Sequence, residues 1–145
     1  MNRSSVVIGV ALLVFALVAL SSPQTEIKKV PLKYTNPSSG QAMYAAYCAV
    51  CHGVTGKGNG PAAPSLSSMP SDLTLLSKDH GGKFPWYHVN TVIRGDTNLP
   101  AEHRQKEMPV WSALFRRSCP GTIADLEIHQ RASNLTNYLE SLQRK

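Results

Sequence analysis

The chain is predicted to be all-α, one small helical domain behind an N-terminal export segment. Two patterns predict this: apolar residues recur at three- and four-residue offsets in several stretches, and no stretch carries the strict alternation of a half-buried strand. Length is the third observation. With 145 residues, the chain has room for one ordinary domain with its own hydrophobic core. A composition of 42% hydrophobic and 17% charged residues excludes a collagen-like or disordered polymer, and there is no internal repeat or low-complexity tract.

Met1 to Ser5 carries a positive charge at Arg3, and Val6 to Leu20 is an uninterrupted apolar run followed by Ser21, Ser22 and Pro23. The run is shorter than the ~18 residues of a spanning helix, and it has no polar face that would suit a buried core helix. Ala19 and Ser21 set a cleavage point after Ser21. Residues 1–21 are therefore expected to be a signal peptide or, if retained, an anchor that associates with the membrane through residues 4–20. Residues 22–37 are expected to form a linker, because Gln24 to Pro37 is rich in Lys, Pro and Thr and lacks periodicity. The folded domain is assigned to residues 38–145.

Within it, Ser38 to Val50 combines helix formers with a capping serine and predicts a first helix. Gly53 to Pro70 contains too many glycines and prolines for a regular element and is expected to be a loop. A helix is predicted over Phe84 to Arg94, with Pro85 in its first turn, Trp86, Val89, Val92 and Ile93 on one face, and Gly95 as its stop. Pro100 to Lys106 predicts one further turn, broken at Met108 and Pro109. Ile123, Leu126, Ile128, Leu135, Tyr138, Leu139 and Leu142 predict the longest helix, over Thr122 to Arg144.

The first helix ends in Cys48, Ala49, Val50, Cys51 and His52, a CxxCH motif. Two thiols at this spacing can each add to one vinyl group of a haem, and the adjacent imidazole can then reach the iron. Such a tether suits a small domain with little interior to hold a large cofactor by packing alone. Three other readings compete. A thiol–disulfide redox pair normally stands at a strand-to-helix junction, and no strand pattern is present. A structural zinc site wants a second ligand pair, whereas only Cys119 and scattered histidines remain. A Cys48–Cys51 disulfide would close too short a loop to stabilise much.

From Ser38 to its end the chain resembles the class I cytochromes c. Gly40 and Tyr44 match that family's amino-terminal helix, and Leu135 and Tyr138 its carboxy-terminal partner, with glycine allowing the two backbones a close crossing. The resemblance implies a single haem c held by two thioethers from Cys48 and Cys51, with His52 as proximal ligand. In the loop beyond, Gly60, Pro61 and Pro64 resemble the proximal segment whose proline carbonyl accepts a hydrogen bond from the other histidine nitrogen, a role assigned to Pro64, with Pro61 the alternative. Met108, Pro109, Val110 and Trp111 resemble the distal Met-Pro segment, which makes Met108 the expected sixth ligand. His103 is its rival, since two imidazoles also ligate iron well. Trp86, Tyr87, Arg94 and Trp111 are further candidates to line the cofactor, His80, His88 and His129 are read as surface or structural residues, and Cys119 as a structural or free thiol.

A thioether opposite an imidazole favours Fe(II) and closes the iron to exogenous ligands, which points to electron transfer rather than catalysis. The expected function is one-electron transfer by a periplasmic carrier cycling between Fe(III) and Fe(II), soluble or anchored to the outer face of the cytoplasmic membrane. The alternative is a cytochrome subunit of a membrane-associated or periplasmic oxidoreductase complex. A gas sensor or peroxidase needs an open sixth position. The net charge of +6 is spread along the chain without a basic run, which suits redox donors and acceptors with acidic docking faces and no nucleic acid.

Overall fold

A computed structural model of the chain describes residues 33–95, 108–118, 121 and 123–144. These belong to one compact unit, Leu32–Lys145. The apolar run Val6 to Leu20, the turn expected over Pro100 to Lys106, His103 and Cys119 lie outside the described residues.

Every regular element among the described residues is helical, as the sequence predicts. The first helical stretch has three parts: α1 (Gly40–Met43), a π-helical turn (Tyr44–Cys48) and α2 (Ala49–His52). Ser39 starts it, its hydroxyl accepting the Ala42 amide at 3.1 Å. In the π turn the Ala49 amide donates to the Tyr44 carbonyl. The extra residue widens the helix just ahead of the CxxCH motif and up to Cys48, and such π turns are frequent at functional sites. After a 3-10 turn at Ala63–Ser65 come α3 (Leu76–Asp79), α4 (Trp86–Arg94), α5 (Trp111–Ser118) and α6 (Ala124–Ser141).

α6 is the spine against which α1, α4 and α5 all pack. Its buried side is Ile128, Ala132, Leu135 and Leu139, spaced three to four residues apart. Ile123 and Leu126, assigned by sequence to the same stripe, are instead 68% and 73% exposed. Ile123 precedes the helix, and Leu126 lies out of phase with Ile128. At the crossing of α1 and α6, a Cβ on Gly40 would run into the Asn134 carbonyl and the Tyr138 side chain, so only glycine lets the backbones meet. Next to it the Tyr44 and Tyr138 rings stand 5.3 Å apart.

α5 is absent from the sequence expectation, although Trp111, Leu114 and Phe115 have helical spacing. Trp111 stacks on Tyr47 at 5.5 Å, and Phe115 completes the aromatic cluster. α5 is thereby docked against the π turn, which carries Met108, just ahead of it, toward the CxxCH motif.

Residues 33–37, assigned to a linker by their composition, are hydrogen-bonded to the domain. Arg131 of α6, 1% exposed, donates to the Thr35 carbonyl and hydroxyl and pairs with Glu127 at 2.7 Å. Asn134 donates to the Pro37 carbonyl. A buried guanidinium is tolerated because its donors are occupied and its face lies over the Tyr34 and Phe115 rings.

Candidate haem site

Cys48 ends the π turn, and Cys51 and His52 end α2. The last turn of a helix leaves its carbonyls without internal partners. Here the glycine-rich loop supplies them: Gly53, Ala62, Gly60 and Gly58 amides donate to the carbonyls of Ala49, Val50, Cys51 and His52, at 2.8 to 2.9 Å. Tyr44, buried beneath, donates to the Gly53 carbonyl at 2.6 Å. Burial, with Cys48 and Tyr138 nearby, pushes the Tyr44 phenol up to about 12, so it remains a donor at neutral pH.

His52 Nδ1 lies 3.1 Å from the Ser71 carbonyl oxygen. A carbonyl only accepts, so the proton belongs on Nδ1 and the lone pair of Nε2 is left for a metal. Burial holds the imidazole below its ordinary pKa, with the Ser71 bond acting in the opposite sense, and the neutral form is the one that ligates. Pro64, the residue expected to supply this carbonyl, stands exposed in the 3-10 turn. The loop turns there and comes back to the ring only after Pro70, so Ser71 takes the position.

Two cavities adjoin the motif, with empty volumes of about 910 and 780 Å³, open mouths included. Their common lining residues are Cys48, His52 and Met108. Leu73, Val89, Ile93, Leu135 and Leu139 wall the first, and Leu66, Pro70 and Trp111 the second, together with Cys51. Met108 is distinguished from the other described methionines by this position, since Met43 is fully buried in the core and Met69 is 77% exposed. Trp111 lines the second cavity, while Trp86, Tyr87 and Arg94 line neither. His88, expected only as a surface or structural residue, lines the first.

These residues fit a haem. An imidazole and a thioether, donors suited to iron, share an apolar cleft with two thiols able to form thioethers. Redox or zinc thiolates fit less well: burial and the neighbouring Cys51 push the Cys48 thiol up to about 12, the reverse of the depressed pKa of a reactive thiolate. Among the described residues no three His, Cys, Asp or Glu side chains are grouped to hold a metal ion.

Residues 35–114 match the family of the cytochrome c oxidase, cbb3-type, subunit III. The chain belongs to this family. It is a c-type cytochrome, a fold and cofactor class that implies haem c and haem-based electron transfer, and the matched stretch contains the CxxCH motif and Met108. No curated protein and no solved structure matches the chain. The long helix α6 lies beyond the matched stretch, yet it supplies Leu135 and Leu139 to the cavity wall. Sequence reasoning missed Ser71, because its contribution is a backbone atom that any residue type carries; its only signal is the preceding Pro70, which like Pro64 punctuates the loop.

Proposed function

We propose that this chain is an exported one-electron carrier with a single haem c, tethered through Cys48 and Cys51 and ligated by His52 and Met108. The observation that carries this reading is that both cavities share His52 and Met108 as lining residues together with Cys48. A bound haem supplies the Fe(III)/Fe(II) couple. The chain's part is to attach it, orient the imidazole through Ser71, present the Met108 sulfur and exclude water with apolar walls. With both His52 and Met108 on the iron, no coordination position would be left for a substrate, which favours electron transfer over catalysis by the chain alone. Partners are read as redox proteins with acidic docking faces, attracted by the net charge of +6.

A second reading, a subunit of a membrane-associated oxidoreductase complex, is favoured by the description of the matched family as an oxidase subunit. No helix among the described residues is long and apolar enough to cross a membrane; the segment read as a possible anchor is Val6 to Leu20.

Expression in a host that matures c-type cytochromes tests both readings. Intact mass should show one haem added and cleavage after Ser21, and the oxidised spectrum should carry the weak long-wavelength band of thioether-ligated iron. Two haem masses, or a spectrum without that band, would overturn the single-haem, Met108-ligated assignment. Co-purification of an active, stable oxidoreductase complex would favour the subunit over the free carrier.

A further inference from the structure

The residues that follow α6 reach back to the stretch beside His52. Gln143 Nε2 donates to the Leu73 carbonyl at 2.7 Å, and Gln143 Oε1 accepts the Ser77 amide at 2.8 Å. The Arg144 amide donates to the Thr74 carbonyl at 3.0 Å, its Nε to the Thr74 hydroxyl at 2.8 Å, and its guanidinium pairs with Asp72 at 2.9 Å. Asp72 in turn accepts the Thr74 amide and hydroxyl. Two adjacent residues of the tail thus bond to residues 72, 73, 74 and 77, immediately after Ser71.

The other side of Ser71 is held by the glycine loop. A Cβ on Gly58 would strike the Pro70 carbonyl, so the loop and Pro70 are in direct contact, and the Leu73 amide donates to the Gly56 carbonyl at 2.7 Å. That loop is itself bonded to the His52 carbonyl through the Gly58 amide. Ser71 therefore sits in a short span pinned to the loop on one side and to the chain's end on the other.

We propose that the Gln143–Arg144 tail positions the proximal imidazole: by tying residues 72–77 to the end of α6, it holds the Ser71 carbonyl against His52 Nδ1 and thereby sets the reduction potential of the iron. This rests on the reading of His52 as axial ligand. A firm Nδ1–H hydrogen bond makes the imidazole a stronger electron donor, which stabilises Fe(III). Loosening Ser71 weakens that bond and shifts the couple toward Fe(II). Gln143 and Arg144 touch no reacting atom, so they are positioning residues.

Gln143→Leu and Arg144→Lys remove bonds of the clasp while leaving net charge unchanged, which separates geometry from simple charge effects. In the full-length, haem-loaded protein, potentiometric titration should show both variants shifted upward. The expected rise in the Fe(II)/Fe(III) ratio at fixed solution potential is about three- to tenfold, tenfold being about 59 mV for one electron. The His52 Nδ1 proton, followed by nitrogen-edited NMR of the reduced protein, should exchange faster in both. Arg116→Lys, at a surface ion pair with Asp125, serves as the remote control and should leave both readouts in place. Potentials equal to the parent's, even with a lowered melting temperature, would mean that the clasp is merely structural and would overturn the proposal. If Gln143→Leu does not fold, the exposed Arg144→Lys decides by the same criterion. A parent protein whose haem spectrum is unaltered by His52→Ala defeats the axial assignment itself, whereas a normal parent with unshifted variants defeats the positioning role alone.

Discussion

The proton on His52 Nδ1 faces a carbonyl that has none to give, and this one contact decides which ring nitrogen is left for a metal. Met108 owes its part to location: three described methionines share the same thioether, but Met43 is buried in the core, Met69 is exposed and only Met108 lines the cleft. Met108→Ala should therefore abolish the long-wavelength band of the oxidised protein, lower the reduction potential and open the reduced iron to carbon monoxide, all readable by absorption spectroscopy. Retention of the band and slow carbon monoxide binding in that variant would remove Met108 from the iron. At this scale the CxxCH motif was fully legible in the sequence, because covalent attachment demands particular residue types at fixed spacing. Ser71 was not legible, and Pro64 was expected in its place, because a backbone carbonyl leaves no mark on residue type and its position depends on where the loop returns.

Among the elements, the crossing of α1 and α6 is what the resemblance of Gly40 and Tyr44 to the class I cytochromes c implies, and the structure puts the Asn134 carbonyl where a Gly40 side chain would be. Gly40→Ala should cost about 1–3 kcal/mol through forced separation of the two helices, measured as a lower urea midpoint. An unchanged midpoint would mean that the crossing yields easily. α5 escaped the sequence reading because its apolar residues form a short stretch whose meaning depends on the distant Tyr47. The clasp at the end of α6 also predicts a pH dependence. Thr74 hydrogen bonds, then Arg144 and Lys57, hold the Asp72 carboxyl below its ordinary range. Its folded value is thus lower than its unfolded value of about 3.9, so the stabilisation is complete above that pH and is lost as pH falls through the folded value. Melting temperatures of the parent and Asp72→Asn should therefore differ at neutral pH and converge as the pH drops below about 4; a constant gap at all pH values would place the carboxyl outside the clasp.

For the molecule as a whole, charge governs encounter more than fold. With a net charge of +6 over the full chain, which stays positive after cleavage at Ser21 removes Arg3, electron transfer to an acidic redox partner should slow severalfold as ionic strength rises from about 0.01 to 0.15 M, where the Debye length contracts from about 30 to 8 Å. Stopped-flow rates indifferent to salt would rule out electrostatic steering. The sequence by itself determined the helical class and the attachment motif, since each is written in local spacing, and its resemblance to the class I cytochromes c implied the close helix crossing at Gly40. Only the tertiary structure decided that residues 33–37 are bonded to Arg131 and Asn134, that α5 delivers Met108 to the cleft, and that Ser71 rather than Pro64 meets His52. Those outcomes depend on contacts between residues far apart in the chain, whose partners no local periodicity can specify.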